Sequence, residues 1–310
     1  MKTVTVIIPT FNRWPVVCVA IDSVLNQSYH ETECMVVDDA SSDGTVSLLK
    51  DRYRNKISII SCSTNKGQSF CRNQGVESCR SDCICFLDSD DFLESDAIEK
   101  RVSLFNESRD IVVSFGLFRT PKKKQHPLLH HKKRRDVLSL EEYLREKSWC
   151  NNSGFLIDRE LFLCDGMYDL RLRNKEDIEL MLRLLCKHSF SYCGAELGEV
   201  REVCGNNRAR YDYQRIISQG TLFSNIVLNN PLLKHVISES SIQKLICSDI
   251  EEELRALYKL GRYADYRSFY RTALTNGHIL NTRRFFKRYL LSYVREIPIK
   301  VLQRTALRRL

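Results

Sequence analysis

Cys85-Phe86-Leu87-Asp88-Ser89-Asp90-Asp91-Phe92 sets three carboxylates within four positions directly behind an apolar run, where a strand ends and hands the chain to a loop. Acids this close repel one another in a partly buried site, and a hard divalent cation with oxygen ligands is the simplest way to keep them ionised. A cation held this way typically has a diphosphate to neutralise. Taken alone, the segment reads equally as a solvated turn with a helix cap, because Asp and Ser favour both.

The preceding chain repeats the layout. Val4 to Ile8 is a β-branched run closed by Pro9, and Pro9-Thr10-Phe11-Asn12-Arg13 is the loop behind it. Val17, Ile21, Val24 and Leu25 follow at helical spacing. Cys34 to Val37 is a second strand ending at Asp38-Asp39, after which Ser41-Ser42-Asp43-Gly44-Thr45 supplies turn and cap chemistry for a helix carrying Val46, Leu48 and Leu49. Ile57 to Ser61, Gly67 to Cys79 and Cys83 to Leu87 continue as strand, helix and strand. This alternation predicts an α/β fold with a mainly parallel sheet covered on both faces, its ligands beyond the carboxyl ends of the strands. Polar clusters fall at those ends: Thr10, Asn12 and Arg13; Asp38 and Asp39; Asn65 to Gly67; Asp88 to Asp91. Four separate loops converge on one edge, which ordinary solvated loops do not explain.

With 310 residues, 28% charged and 43% apolar, the chain has the size and composition of a soluble globular protein of one large or two modest domains. It has no uninterrupted apolar run of about 18 residues, and Met1 to Pro9 leads straight into a strand without a signal-peptide layout, so the expected location is cytoplasmic. The 13 cysteines are odd in number and include no CxxC pair or zinc-finger spacing, which favours buried free thiols. The net charge of +9 is uneven: residues 121–135 carry +7 and residues 281–310 carry +8, and removing both leaves −6 on the rest. An acidic body with local basic segments points to an anionic surface as partner.

Four segments, Val6-Ile7-Ile8-Pro9-Thr10-Phe11-Asn12-Arg13, Val36-Val37-Asp38-Asp39-Ala40-Ser41-Ser42-Asp43-Gly44-Thr45, Asn65-Lys66-Gly67 with Arg72-Asn73, and Phe86-Leu87-Asp88-Ser89-Asp90-Asp91, together resemble the family 2 glycosyltransferases of the GT-A fold. The likeness is close over about the first 120 residues and thinner to about residue 210. It implies a Rossmann-like mixed sheet over residues 1–215 and a helical extension over 216–310, with a UDP-sugar as donor. Under this resemblance Asp39 accepts the uracil N3 proton, Phe11 lies along the base, and Pro9 and Thr10 shape the floor; Phe11 reads alternatively as core. Asn12 and Arg13 continue that donor loop. Asn65 and Gly67 let backbone approach the ribose or phosphates. Arg72 is placed to reach the diphosphate, or is simply a solvated helical Arg. Asp88-Ser89-Asp90 resembles the DXD motif, with Asp88 on the ribose or a metal-bound water, Asp90 on Mg²⁺ or Mn²⁺, and Asp91 orienting the loop.

In Asn174-Lys175-Glu176-Asp177-Ile178-Glu179-Leu180-Met181-Leu182-Arg183, Asn174 is expected to cap a helix whose stripe is Ile178, Met181, Leu182 and Leu185. Glu176 and Asp177 then sit in the first turn, where the helix dipole favours acids. The resemblance makes Asp177 the general base of inverting transfer, with Glu176 as runner-up. Asn151 to Ile157 and Gly166 to Asp169 resemble acceptor-side segments; Trp149 reads equally as a sugar platform and as core. Arg208 stands where relatives carry an Arg or His near the phosphates.

Residues 121–135 interleave cations with His126, His130 and His131; the surrounding positive charge disfavours a metal, so the segment reads as a solvated loop. Phe286, Leu290, Tyr293, Ile297 and Val301 recur at helical spacing among Arg283, Arg284, Lys287 and Arg288, with Pro298 interrupting, a pattern suited either to an anionic membrane surface or to packing on the body. The expected acceptor is a hydroxyl of a cell-surface glycan or of a lipid-linked oligosaccharide. The competing functions are a nucleotidyltransferase, whose Gly-rich activating loop is missing from Val6 to Arg13, a nucleic-acid-binding module, which leaves the acid clusters unexplained, and an inactive partner subunit. No nucleic-acid partner is expected.

Overall fold

Val4–Thr10 (β1) is buried at all seven positions, which a strand achieves only at the centre of a sheet covered on both faces. Val4, Val6 and Ile8 pack with Val17, Ile21 and Val24 of helix α1 (Val17–Leu25). Ile7 points the other way, against Gly75 of α3 (Gln68–Ser78), where a Cβ would lie 2.6 Å from the Ile7 Cγ2. The computed structural model describes residues 1–108, 111–119, 133–146, 152–201, 213–278 and 282–295. The sequence candidates Trp149, Asn151 and Arg208, residues 121–132 with their three histidines, and Ile297, Pro298 and Val301 lie outside the described residues.

The chain divides into two compact units, Met1–Asn207 and Arg208–Leu310. In the first, β1 lies between β2 (Thr32–Asp38) and β4 (Cys83–Phe86), with β3 (Ser58–Ser61) beyond β2, all four parallel. Helix α2 (Thr45–Tyr53) connects β2 to β3. The further strands are β5 (Phe92–Leu93), β6 (Val113–Arg119), β7 (Val137–Leu138), β8 (Phe155–Asp158) and β9 (Phe190–Glu199). Among the described residues they form one sheet in the order β3-β2-β1-β4-β8-β6-β9-β5, with β7 also on β9. The expected parallel sheet therefore extends to β4, and the sheet is mixed beyond it: β8 is antiparallel to β4 and β6, β6 is parallel to β9, and β5 and β7 are antiparallel to β9.

Helix α4 (Ala97–Glu107) carries Arg101, fully buried, whose Nη1 donates to the carbonyls of Ser153 and Phe155 at 3.2 Å each. This clamp fixes the 3₁₀ turn Asn152–Gly154 beside the end of β4. Helices α5 (Leu140–Glu146) and α6 (Arg159–Cys164) follow β7 and β8; in the second unit the described elements are helices, α8 (Tyr213–Asn229), α9 (Pro231–Val236), α10 (Glu239–Lys259), α11 (Tyr263–Thr275) and α12 (Thr282–Arg295). Helix α12 packs through Phe285, whose carbonyl accepts from Tyr266 Oη at 2.8 Å, while Phe286, Leu290 and Tyr293 are about half exposed. Tyr293 nevertheless stands against α11, its ring 4.4 Å from the Arg267 guanidinium and its hydroxyl accepting from Arg271 Nη2 at 3.2 Å. No described helix is long and apolar enough to cross a membrane.

Candidate active site

The parallel register places the ends of β1 and β2 side by side, Thr10 opposite Asp38. The Asp39 N–H donates to the Thr10 carbonyl at 2.8 Å, and Asn12 and Ser41–Ser42 exchange two further bonds at 2.8 Å. Asp39 is buried, and its two carboxylate oxygens accept the N–H groups of Lys66 and Gly67 at 2.7 and 2.8 Å; Asn65 Nδ2 donates to its carbonyl at 3.3 Å. Each carboxylate oxygen keeps a second lone pair. Phe11 is 44% exposed, so it is not core. Pro9 and Thr10 are buried beneath it in the chain's path.

Gly67 has φ +91°, and a Cβ there would meet Arg173 Nη1 at 2.1 Å. The room expected for a ribose or phosphate at Gly67 is thus taken by an exposed arginine. Gly67 leads into α3, and one turn on Arg72 is 1% exposed, its Nη2 on Asp88 at 2.7 Å and its Nη1 3.4 Å from Glu176, with its guanidinium 5.3 Å from the Tyr168 ring centroid. The solvated reading of Arg72 fails, and the guanidinium joins two carboxylates. Burial alone would lower its pKa; Tyr168, Asp88 and Glu176 leave it raised. Gln68 Nε2 also donates to Glu176. Tyr168 is itself fixed by Asn73, whose side chain makes two 3.0 Å bonds to its backbone, and by Asn152, which accepts from its hydroxyl at 2.8 Å.

At the end of β4, the Asp88 N–H donates to Ser153 Oγ at 3.3 Å, so the Arg101 clamp supports this loop. Ser89 and Asp90 are buried, and Asp91 is fully buried with Oδ1 accepting the Arg201 N–H at 3.2 Å, which ties the loop to the end of β9. Helix α7 (Glu176–Leu185) opens at Glu176. Asn174 does not cap it: the N-cap is Lys175 at φ +62°, and Asn174 Oδ1 accepts the Lys175 N–H at 3.1 Å. Its buried face is Leu180, Met181, Leu182, Leu184 and Leu185 with Glu179, which Arg183 neutralises at 2.9 Å; Ile178 is only partly buried. Asp177 Oδ1 accepts the Ile178 N–H at 2.8 Å. Burial first, then the Glu176 charge, push the Asp177 carboxyl up to about 7 against that N–H and Arg72.

Three buried polar atoms on this edge have no hydrogen-bond partner among the described residues: Thr10 Oγ1, Asp38 Oδ1 and Arg72 Nε. Residues of positive φ flank it as well, Asn12, Ala40 and Lys175 beside Gly67. Buried unsatisfied groups and strained backbone concentrate where ligands are handled. The contacts therefore form two groups, Thr10, Asn12, Asp39, Asn65 and Gly67 in one and Arg72, Asp88 and Glu176 in the other with Asp177 alongside, joined through the first turns of α3. Sequence reasoning missed Gln68, Arg101 and Arg173, which carry no local signature.

A family model for "Glycosyl transferase family 2" matches residues 5–164. The chain belongs to glycosyl transferase family 2. Over 212 residues it is 28% identical to the putative teichuronic acid biosynthesis glycosyltransferase TuaG of Bacillus subtilis, covering 66% of this chain and 82% of TuaG. It spans about half or less of the length of several other curated relatives it matches. The family 2 fold is GT-A: Staphylococcus aureus TarS in complex with UDP-GlcNAc superposes with a TM-score of 0.62 at 18% identity, covering 83% of this chain and 73% of that one. The mannosyltransferase PcManGT of Pyrobaculum calidifontis, in complex with GDP-Man and Mn²⁺, superposes at 0.59 with 14% identity, covering 95% and 85%.

Proposed function

We propose that this family 2 glycosyltransferase moves a sugar from a UDP-sugar to a hydroxyl of a cell-surface glycan or lipid-linked oligosaccharide, with inversion and with a divalent metal. The observation that carries the reading is that α3 joins two groups of contacts on one sheet edge: Gly67 at its start bonds Asp39 behind Thr10, and Arg72 one turn on holds Asp88 and Glu176, with Asp177 next to Glu176 in the first turn of α7. The UDP-GlcNAc held by TarS and the teichuronic acid role named for TuaG support the donor and acceptor classes.

The free lone pairs of Asp39 accept a uracil N3–H, with Phe11 along the base and Pro9, Thr10, Asn12 and Arg13 around it. Asp90 and Asp88 would hold Mg²⁺ or Mn²⁺; the donors are hard oxygens, and no third acid, Cys or His joins them in a metal-sized cluster among the described residues. Two carboxylates suit an ion that takes its remaining ligands from phosphates and water. The Mn²⁺ in PcManGT supports such an ion, which when bound neutralises charge on the departing diphosphate. Arg72 acts on Asp88 and Glu176 as a positioning residue, and Arg173 is the exposed cation beside the α3 N-terminus. Asp177 takes the acceptor hydroxyl proton as that oxygen attacks the anomeric carbon and the bond to UDP breaks. Its pKa of about 7 suits a base that holds a proton only briefly. Exposed Phe286, Leu290 and Tyr293 amid Arg283, Arg284 and Lys287 support docking of α12 on an anionic membrane face.

The test is a donor screen measuring UDP, GDP and dTDP release from their sugars with Mn²⁺ or EDTA, using wild type, Asp90→Ala and Asp177→Asn. Release from a UDP-sugar that needs Mn²⁺ and both acids is expected. Turnover undiminished in EDTA, or variants as active as wild type, would remove the mechanism.

A further inference from the structure

Asp39 has two neighbours that the transfer chemistry leaves unused. Cys62 follows the last residue of β3, its N–H bonded to the Asp38 carbonyl at 2.8 Å, and Cys71 lies in the first turn of α3, its N–H on the Gly67 carbonyl at 3.2 Å. The two thiol sulfurs and an Asp39 carboxylate oxygen lie within 4.8 Å of one another, the one such group of three among the described residues. Cys71 is fully buried, while Cys62 is partly exposed and gives a path from solvent. The three come from separate elements, behind β2, behind β3 and in the first turn of α3, and 4.8 Å is the upper bound on their spacing: at zinc bond lengths two sulfurs sit about 3.8 Å apart and sulfur and oxygen about 3.5 Å. A contraction of at most about 1.0 Å between the sulfurs and about 1.3 Å from sulfur to oxygen completes the set.

We infer that Asp39, Cys62 and Cys71 form a binding site for a thiophilic divalent cation of the zinc type, with water or another ligand in the fourth position. Two soft sulfurs select zinc against Mg²⁺ and Mn²⁺, which the all-oxygen Asp88 and Asp90 suit instead, so ligand softness sorts the two ions. A consequence rests on the proposed transferase function: a cation bonded to Asp39 occupies the lone pairs offered to the uracil N3–H, so zinc and UDP exclude each other, and by linkage each weakens the other equally.

The experiment titrates the full-length protein, without nucleotide, with Co²⁺ as a spectroscopic stand-in, then with Zn²⁺ against a chromophoric chelator. One equivalent of Co²⁺ is expected to give thiolate-to-metal charge-transfer absorption that Zn²⁺ removes. C62S, at the partly exposed position, and C71S should each weaken zinc by about tenfold or more and lose the band, while C164S keeps it. Thermal melts confirm that each variant is folded. No band in the wild type, or an equal band in folded C62S/C71S, would overturn the site. With Mn²⁺ present in both arms and zinc held by free UDP subtracted, saturating UDP should weaken zinc by about fivefold or more; unchanged zinc affinity with the band intact would instead overturn the place of Asp39 at the base.

Discussion

Replacing Arg72 with Met keeps most of the side chain's length and apolar contact but removes the charge shared by Asp88 and Glu176. Glu176 is 4% exposed, so its carboxylate would be left in a dry setting with Gln68 as a neutral donor; Asp88, at 20% side-chain exposure, is partly relieved by water. Removing one partner of a buried ion pair costs about 3–5 kcal/mol, a large share of the roughly 5–15 kcal/mol that holds a domain together. The expected loss is therefore about 3 kcal/mol or more near neutral pH, read as a lower urea midpoint by circular dichroism with an unchanged slope. Arg72→Met in a Glu176→Gln background should lose less than the two single changes together, because the stranded charge is gone. A loss under about 1 kcal/mol, or strict additivity in the double variant, would refute the idea that Arg72 is the structural counter-ion of both acids.

For Asp177, turnover should rise with pH through about 7 as the carboxyl gives up its proton, and Asp177→Asn should abolish turnover; a flat profile across that range would remove it as base. Its stability effect has the opposite sign: the folded carboxyl holds its proton up to about 7 and the unfolded one to about 3.9, so stability falls as pH rises across that window, and Asp177→Asn should flatten this in urea melts. Gly67→Ala, at φ +91° and against Arg173, should cost about 1–3 kcal/mol and weaken UDP binding by disturbing the N–H that Asp39 accepts; an unchanged melt and affinity would contradict this. Removing residues 282–310 should release the protein from anionic vesicles in a sedimentation assay, and unchanged co-sedimentation would exclude α12 and the residues after it as the anchor.

The first four strands were legible because each is a short β-branched or apolar run that ends at polar residues, Pro9-Thr10, Asp38-Asp39, Ser63 to Asn65 and Asp88: β1, β2, β3 and β4 lie within two residues of where the runs place them at either end. The two-residue strands β5 and β7 are too short for any period, and β9 contains Gly194 and Gly198, which blur alternation. Asp39, Asp88 and Glu176 could be named from their positions at element ends. What joins them could not, because Arg72 is buried by partners 16 and 104 residues away, and a lone helical arginine otherwise reads as solvated. Arg101 is hidden in the same way, clamping carbonyls 52 and 54 residues on. Asn174 looked like a cap, but the left-handed Lys175 places the helix start one residue later. Cys62 and Cys71 have no telling spacing and meet Asp39 only because β3 and α3 flank it.

The most direct measurement is calorimetric titration of UDP into the protein with Mn²⁺, with EDTA, and into Asp90→Ala with Mn²⁺. If acids from separate loops hold the nucleotide through a shared ion, saturable binding appears only in wild type with Mn²⁺. Equal affinity in EDTA or in Asp90→Ala would contradict it.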